Sequence, residues 1–182
     1  MKSKKEKWLV KSSKYVYKDP WIRLRIDNVV RANGERGNYS VAELKGGIGV
    51  VSLTKDNKIV IVGQYRYAPD RYSWEIPKGA FSRFGSTETP LDTAKRELEE
   101  ETGITTHKWQ EITTVHTLLG STNDKVFLFL ATDIKVGKPH PENTESISIR
   151  QVSFDTFFEM VNKQEITDAT SIAAVALAEK LV

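Results

Sequence analysis

Glu97, Glu100 and Glu101 stand in the run Arg96-Glu97-Leu98-Glu99-Glu100-Glu101-Thr102-Gly103-Ile104. Their spacing, i, i+3 and i+4, puts three carboxylates on one face of a helix. Like charges so placed repel, and the helix macrodipole disfavours anions in a last turn. Two local rules are broken together, as happens at functional sites. A divalent cation bound by these side chains would relieve both conflicts. Oxygen donors alone select a hard ion, Mg2+ or Mn2+.

An acidic run on a helix is ordinarily a solvated face, but the flanking residues fix this one in place. Thr89 is a helix N-cap, Pro90 suits the first helical position, and Asp92 follows three residues after the cap. Leu91, Ala94 and Leu98 form a narrow apolar stripe that can dock on a sheet. Gly103 supplies the stop, and Ile104 can fold back beneath it. The remaining pattern supplies that sheet. Tyr15-Val16-Tyr17, Ile22 to Asp27 and Tyr39 to Leu44 alternate as strands, with a hairpin signal at Asn33-Gly34. Gly49 to Leu53 and Ile59 to Gly63 are apolar on both faces and joined by a turn, as in the middle of a layered fold. Trp109 to Leu118, Val126 to Ala131 and Ile147 to Phe154 read as strands. Helices are expected near 155–163 and from Asp168 onward.

Composition bounds the rest. At 182 residues the chain is one domain with at most a small appendage. It has no cysteine, which excludes disulfides and zinc-thiolate sites, and His107, His116 and His140 have no ligand spacing. No stretch is apolar enough for a membrane span, and the Lys-rich start lacks the apolar core of a signal peptide. A cytoplasmic protein is expected, with no membrane partner. The net charge of +3 comes mostly from that lysine tail and suits an anionic small molecule. Nucleic acid is not expected as a partner. Gly46-Gly47-Ile48-Gly49 leads into a strand, so it lacks the helix N-terminus of a phosphate-binding loop.

Glu88, seven residues, then Arg96-Glu97-Leu98-x-Glu100-Glu101-x-Gly103-Ile104 resembles the Nudix box. The box's leading glycine falls at Ser82 in strict register. Gly79, in Trp74-Glu75-Ile76-Pro77-Lys78-Gly79, looks like that glycine, with three extra residues before Glu88. Gly63-Gln64-Tyr65-Arg66-Tyr67, Tyr72 to Pro77, and Glu165 to Ala169 are similar to the branch acting on ADP-ribose and nucleoside diphosphate sugars. The resemblance implies an α/β (α+β) fold: a Nudix-type α/β/α sandwich with a mixed sheet and a small N-terminal antiparallel appendage. Expected divisions are a disordered basic tail (1–7), the appendage (8–44) serving dimerisation and substrate, and the hydrolase domain (45–182). A homodimer is expected.

The activity so implied is Mg2+-dependent hydrolysis of the pyrophosphate bond of ADP-ribose or a related nucleoside diphosphate sugar. The alternatives are a dinucleoside polyphosphate or nucleotide cofactor as substrate, or a non-catalytic nucleotide sensor. Glu97 and Glu101, one above the other, are expected as main metal ligands, with Glu100 as a further one. The resemblance adds a backbone carbonyl near Lys78-Gly79. Arg96 is expected to orient the glutamates by a bidentate ion pair, and Glu88 to brace loop and helix. The branch takes its general base from a later loop, here Pro139 to Ser148, where Glu145 is preferred over Glu142. Arg66 is expected at phosphate, with Tyr65, Tyr67 and Trp74 as stacking candidates. Leu118 to Lys125 departs from the branch: it holds no proline, and Lys125 appears where relatives carry an acid.

Overall fold

The computed structural model describes residues 7–141 and 146–182. Most of the N-terminal lysine tail, and both Glu142 and Glu145, lie outside the described residues.

The alternating N-terminal segments pair into an antiparallel sheet of β1 (Leu9–Lys18), β2 (Ile22–Val30) and β3 (Arg36–Leu44), in the order β1-β2-β3. The Asn33-Gly34 turn joins β2 to β3, with Gly34 at φ 87. A mixed sheet follows. It contains β4 (Gly47–Ser52), β7 (Lys78–Ala80), β9 (Lys108–Val115) and β10 (Val126–Thr132), in the order β7-β4-β10-β9. β4 and β10 run parallel, and the other pairs are antiparallel. A third sheet, order β12-β5-β6, holds β5 (Ile59–Arg66), β6 (Arg71–Glu75) and β12 (Ser148–Val152). Two short strands, β8 (Ile104–Thr105) and β11 (Lys135–Val136), pair with each other.

Two apolar faces explain why β4 and β10 are buried on both sides. Ile48, Val50, Phe129 and Ala131 pack with Ala94 and Leu98 of α1 (Pro90–Thr102). Val51, Leu128 and Leu130 pack on the other face with Phe157 and Met160 of α2 (Phe154–Asn162) and with Ala174 and Val175 of α3 (Ala169–Ala178). The period-two alternation thus sends successive residues into two different cores. Helices lie on both faces of the mixed sheet, the expected sandwich.

β4 and β5 are joined by the expected turn, closed by the bridge Leu53↔Ile59 and by the Thr54 N–H donating to the Lys58 carbonyl at 2.9 Å, yet they enter different sheets. The same crossing recurs at Glu75 to Lys78. There β6 leaves one sheet and β7 enters the other, while the Val50 N–H donates to the Pro77 carbonyl at 2.9 Å. No helix among the described residues is long and apolar enough to cross a membrane.

Leu98 is fully buried and clamps α1 onto β4. Leu98→Ala should lower stability by about 2–5 kcal/mol, read as a lower urea midpoint; a loss of under about 1 kcal/mol would mean that α1 is not docked through this residue.

Candidate active site

The acidic helix begins and ends as its residues dictate. Thr89 Oγ1 accepts the Asp92 N–H at 3.1 Å, and Gly103, at φ 69, donates its N–H to the Glu99 carbonyl at 2.7 Å. A β-carbon at Gly103 would also strike the Gly137 backbone. The last turn carries no basic residue.

The carboxylates are gathered by Arg96. Its Nη1 donates to Glu97 Oε1 at 2.8 Å and to Glu100 Oε2 at 2.9 Å, and its Nε donates to Glu88 Oε1 at 3.2 Å. The guanidinium expected to orient the glutamates is shared among three of them. Burial pushes the Arg96 pKa down, but those three carboxylates outweigh it and hold it above the ordinary arginine value. Glu88 also donates its backbone N–H to Ser86 Oγ at 3.2 Å.

Glu101 is almost fully buried, and its Oε2 accepts the Lys78 N–H at 3.2 Å. Glu97 sits on Gly79 so closely that a β-carbon there would overlap its carboxyl group. Gly79 therefore serves first as a seat for Glu97, and its carbonyl lies against Gly47 of β4. Among the described residues no three acidic or histidine side chains already converge as a metal cluster. The donors nevertheless fit a hard cation: carboxylate oxygens from one helix face meet a strand whose side chain has been deleted to admit them.

A cleft of about 440 Å3 opens over this seat, lined by Arg96, Glu97, Glu100, Glu101, Gly79 and Ser82 among others. It shares Trp21, Lys45, Arg66, Lys78, Gly79 and Ala80 with an adjoining chamber of about 380 Å3 that reaches Thr117, Asp124 and Thr170. Arg66 is held there by Glu75, with Nε to Oε1 at 3.0 Å and Nη2 to Oε2 at 2.6 Å. Lys78 Nζ bridges Glu75 at 2.9 Å and Asp168 at 2.8 Å.

The aromatic expectations meet a different arrangement. Trp74 is buried in the core behind Arg150, whose guanidinium lies 4.3 Å from its ring, and it does not line the cleft. Tyr65 is exposed and hydrogen-bonds Asp70, and Tyr67 is largely in solvent. Alternation along β5 and β6 sends these rings away from the acidic helix. Phe81 and Trp21 are the aromatics that line the cleft, and Trp21 is exposed and capped by the Lys45 ammonium 4.0 Å from its ring. Its only signal in the sequence was an isolated tryptophan between two strands. Asp124, rather than Lys125, faces the chamber; Thr117 Oγ1 donates to its carboxylate at 2.7 Å. Glu75, Lys78 and Asp168 were also missed, because their meeting joins distant parts of the chain.

The NUDIX domain model matches residues 43–174, and the nucleoside diphosphate sugar hydrolase N-terminal domain model matches residues 8–42. The chain belongs to the NUDIX family. It is 31% identical over 177 residues to the ADP-ribose pyrophosphatase of Bacillus subtilis, covering 96% of this chain and 93% of that protein. It is 30% identical to the ADP-ribose pyrophosphatase of Mycobacterium tuberculosis, covering 90% and 79%. A crystal structure of an ADP compounds hydrolase shares the fold with a TM-score of 0.83 at 16% identity, covering 96% of this chain and 94% of that one.

Burial pushes the Glu75 carboxyl up, but Arg66 and Lys78 outweigh it, and its net pKa lies below the ordinary value. A depressed carboxylate pKa stabilises the fold above the unfolded value, and that contribution is lost as pH falls through the folded one. Glu75→Gln should therefore be less stable than wild type at pH 7, with the gap narrowing as pH is lowered below about 4. Thermal midpoints across that range check it; a gap that is constant with pH would show that the Glu75 charge contributes nothing.

Proposed function

We propose that the protein hydrolyses the pyrophosphate bond of ADP-ribose or a related nucleoside diphosphate sugar, releasing a nucleoside monophosphate and a sugar phosphate. The observation that carries this reading is the seating of Glu97 and Glu101 on Lys78-Gly79 within a cleft that also presents Arg66 and Trp21. The ADP-ribose pyrophosphatases among its relatives support the substrate class.

Glu97, Glu101 and Glu100, with a backbone carbonyl of the Lys78-Gly79 pair, would hold Mg2+, or Mn2+ in its place. The cation when bound supplies neutralisation of phosphoryl charge as a Lewis acid. The chain's own groups do the remainder. Arg96 keeps Glu97 and Glu100 together, so the donors are ordered before substrate arrives. Arg66, its direction fixed by Glu75, offers guanidinium charge to the diphosphate. Trp21 presents an indole face to the nucleobase, replacing the stacking role first expected of Trp74 and Tyr65.

Glu145 takes the proton of the attacking water as its oxygen bonds to phosphorus and the bond to the bridging oxygen breaks. The chain entering that segment is fastened to the acidic helix: the His140 N–H donates to the Glu100 carbonyl at 2.8 Å, and Gly137 N–H to Gly103 at 2.7 Å. The protein acts as a cytoplasmic homodimer. β1 supports the dimer, since Leu9, Val10, Tyr15 and Val16 are exposed along an edge strand.

The test is a substrate panel of ADP-ribose, ADP-glucose, GDP-mannose, NADH and diadenosine polyphosphates with Mg2+, products being separated by chromatography. ADP-ribose should give AMP and ribose 5-phosphate, and Glu101→Gln should reduce kcat by about 100-fold or more. Full activity in that variant would remove Glu101 from the metal site. Binding across the panel without turnover would contradict hydrolysis itself.

A further inference from the structure

The segment Glu75 to Gly79 is held from both helix layers. From one side, Glu101 of α1 accepts the Lys78 N–H and Glu97 rests on Gly79. From the other, Ser171 Oγ of α3 accepts the Ile76 N–H at 3.0 Å, and Asp168 holds the Lys78 ammonium at 2.8 Å. Lys78 is thus gripped by its backbone from the acidic helix and by its side chain from α3. Glu75, 3% exposed, completes the ring by pairing with Lys78 and with Arg66.

Asp168 divides its two oxygens between two tasks. Oδ2 caps α3, accepting the Ser171 N–H at 2.9 Å and the Ser171 hydroxyl at 2.7 Å. Oδ1 is directed at Lys78 Nζ. An N-cap needs only the first. The second ties the start of α3 to the residue that precedes the Glu97 seat, and nothing in helix capping requires it. Burial pushes the Asp168 carboxyl up, but Lys78 and the Ser171 bonds outweigh this and keep it below its ordinary value.

We propose that Asp168 is a positioning residue for cation binding by the acidic helix: through Lys78 it fixes the Lys78-Gly79 backbone against which Glu97 and Glu101 are set. The inference rests on the metal assignment made for the proposed function, but Asp168 itself is outside the ligand set. Partners of this kind orient a site's donors, and their loss typically weakens metal binding by about 10–100-fold. Asp168 lines the adjoining chamber, where its carboxylate lies 2.8 Å from Lys78 Nζ, and it is not among the proposed ligands.

The experiment measures Mn2+ binding directly, from the free-ion electron paramagnetic resonance signal, with no substrate present. Asp168→Asn keeps an amide oxygen to cap α3 and removes the charge that holds Lys78. Lys78→Met cuts the tie from its other end and leaves Glu75 with Arg66. Each should raise the Mn2+ dissociation constant about tenfold, with the thermal midpoint shifted by no more than about 4 °C. The double variant should bind no more than about twofold more weakly than Lys78→Met alone, because both changes break one link. Lys78→Arg, which can still reach Asp168 and Glu75, should retain wild-type affinity. Should Asp168→Asn fail to fold, Lys78→Met and its arginine counterpart carry the comparison.

Wild-type affinity in Asp168→Asn, multiplying effects in the double variant, or a Lys78→Arg as weak as Lys78→Met would overturn the proposal. A wild-type protein that binds no Mn2+ would overturn it together with the metal assignment. Weakened Mn2+ binding in the variants, with no hydrolysis of any nucleoside diphosphate by wild type, would leave the positioning role standing and sink the proposed function alone.

Discussion

Three carboxylates held within one helical turn, at the end of the helix where anions are least favoured, set the terms for the rest of the molecule. Left to itself such a turn repels its own side chains. Here Arg96 draws Glu97 and Glu100 together, the Lys78 N–H takes Glu101, and Gly79 gives Glu97 room. All three carboxylates line the cleft, and the helix that carries them cannot relax away from it. Thr89, Leu98 and Gly103 hold it at start, middle and end.

The layered fold places that turn where it can act. The strands of the mixed sheet feed one core beneath α1 and another beneath α2 and α3, so both helix layers are fixed to the same strands. At Glu75 to Lys78 the chain passes from one sheet to the other, and bonds from both layers converge there. The binding chambers border this crossing. Two of their cations, Arg66 and Lys78, are aimed by Glu75 and Asp168. The N-terminal sheet adds Trp21, which makes the appendage part of the cleft's wall.

Local signals made the acidic helix legible: a cap, a first-turn proline, an apolar stripe and a terminal glycine each act within a few residues, and the helix runs from Pro90 to Thr102 as they indicate. The antiparallel N-terminal sheet was legible for the same reason, through alternation and the Asn33-Gly34 turn. Features that depend on distant pairing were not. The turn between β4 and β5 was legible, but not that they enter different sheets, because β4 pairs with β10 and β7. Trp74 follows a motif that suggests the site, but strand alternation turns it into the core. Asp168 reads as a helix cap, and only the folded chain shows its second oxygen reaching Lys78.

A bound divalent cation would relieve the crowding of the carboxylates on the acidic helix. Thermal unfolding of the wild-type protein and of Glu97→Gln, each in chelator and in saturating Mg2+, tests it most directly. A ligand that binds only the folded state raises its stability, by about 2.7 kcal/mol at one hundred times its dissociation constant. The wild-type midpoint should rise by several degrees with Mg2+, and the Glu97→Gln midpoint should rise little. Equal shifts in the two proteins, or none in the wild type, would contradict the account.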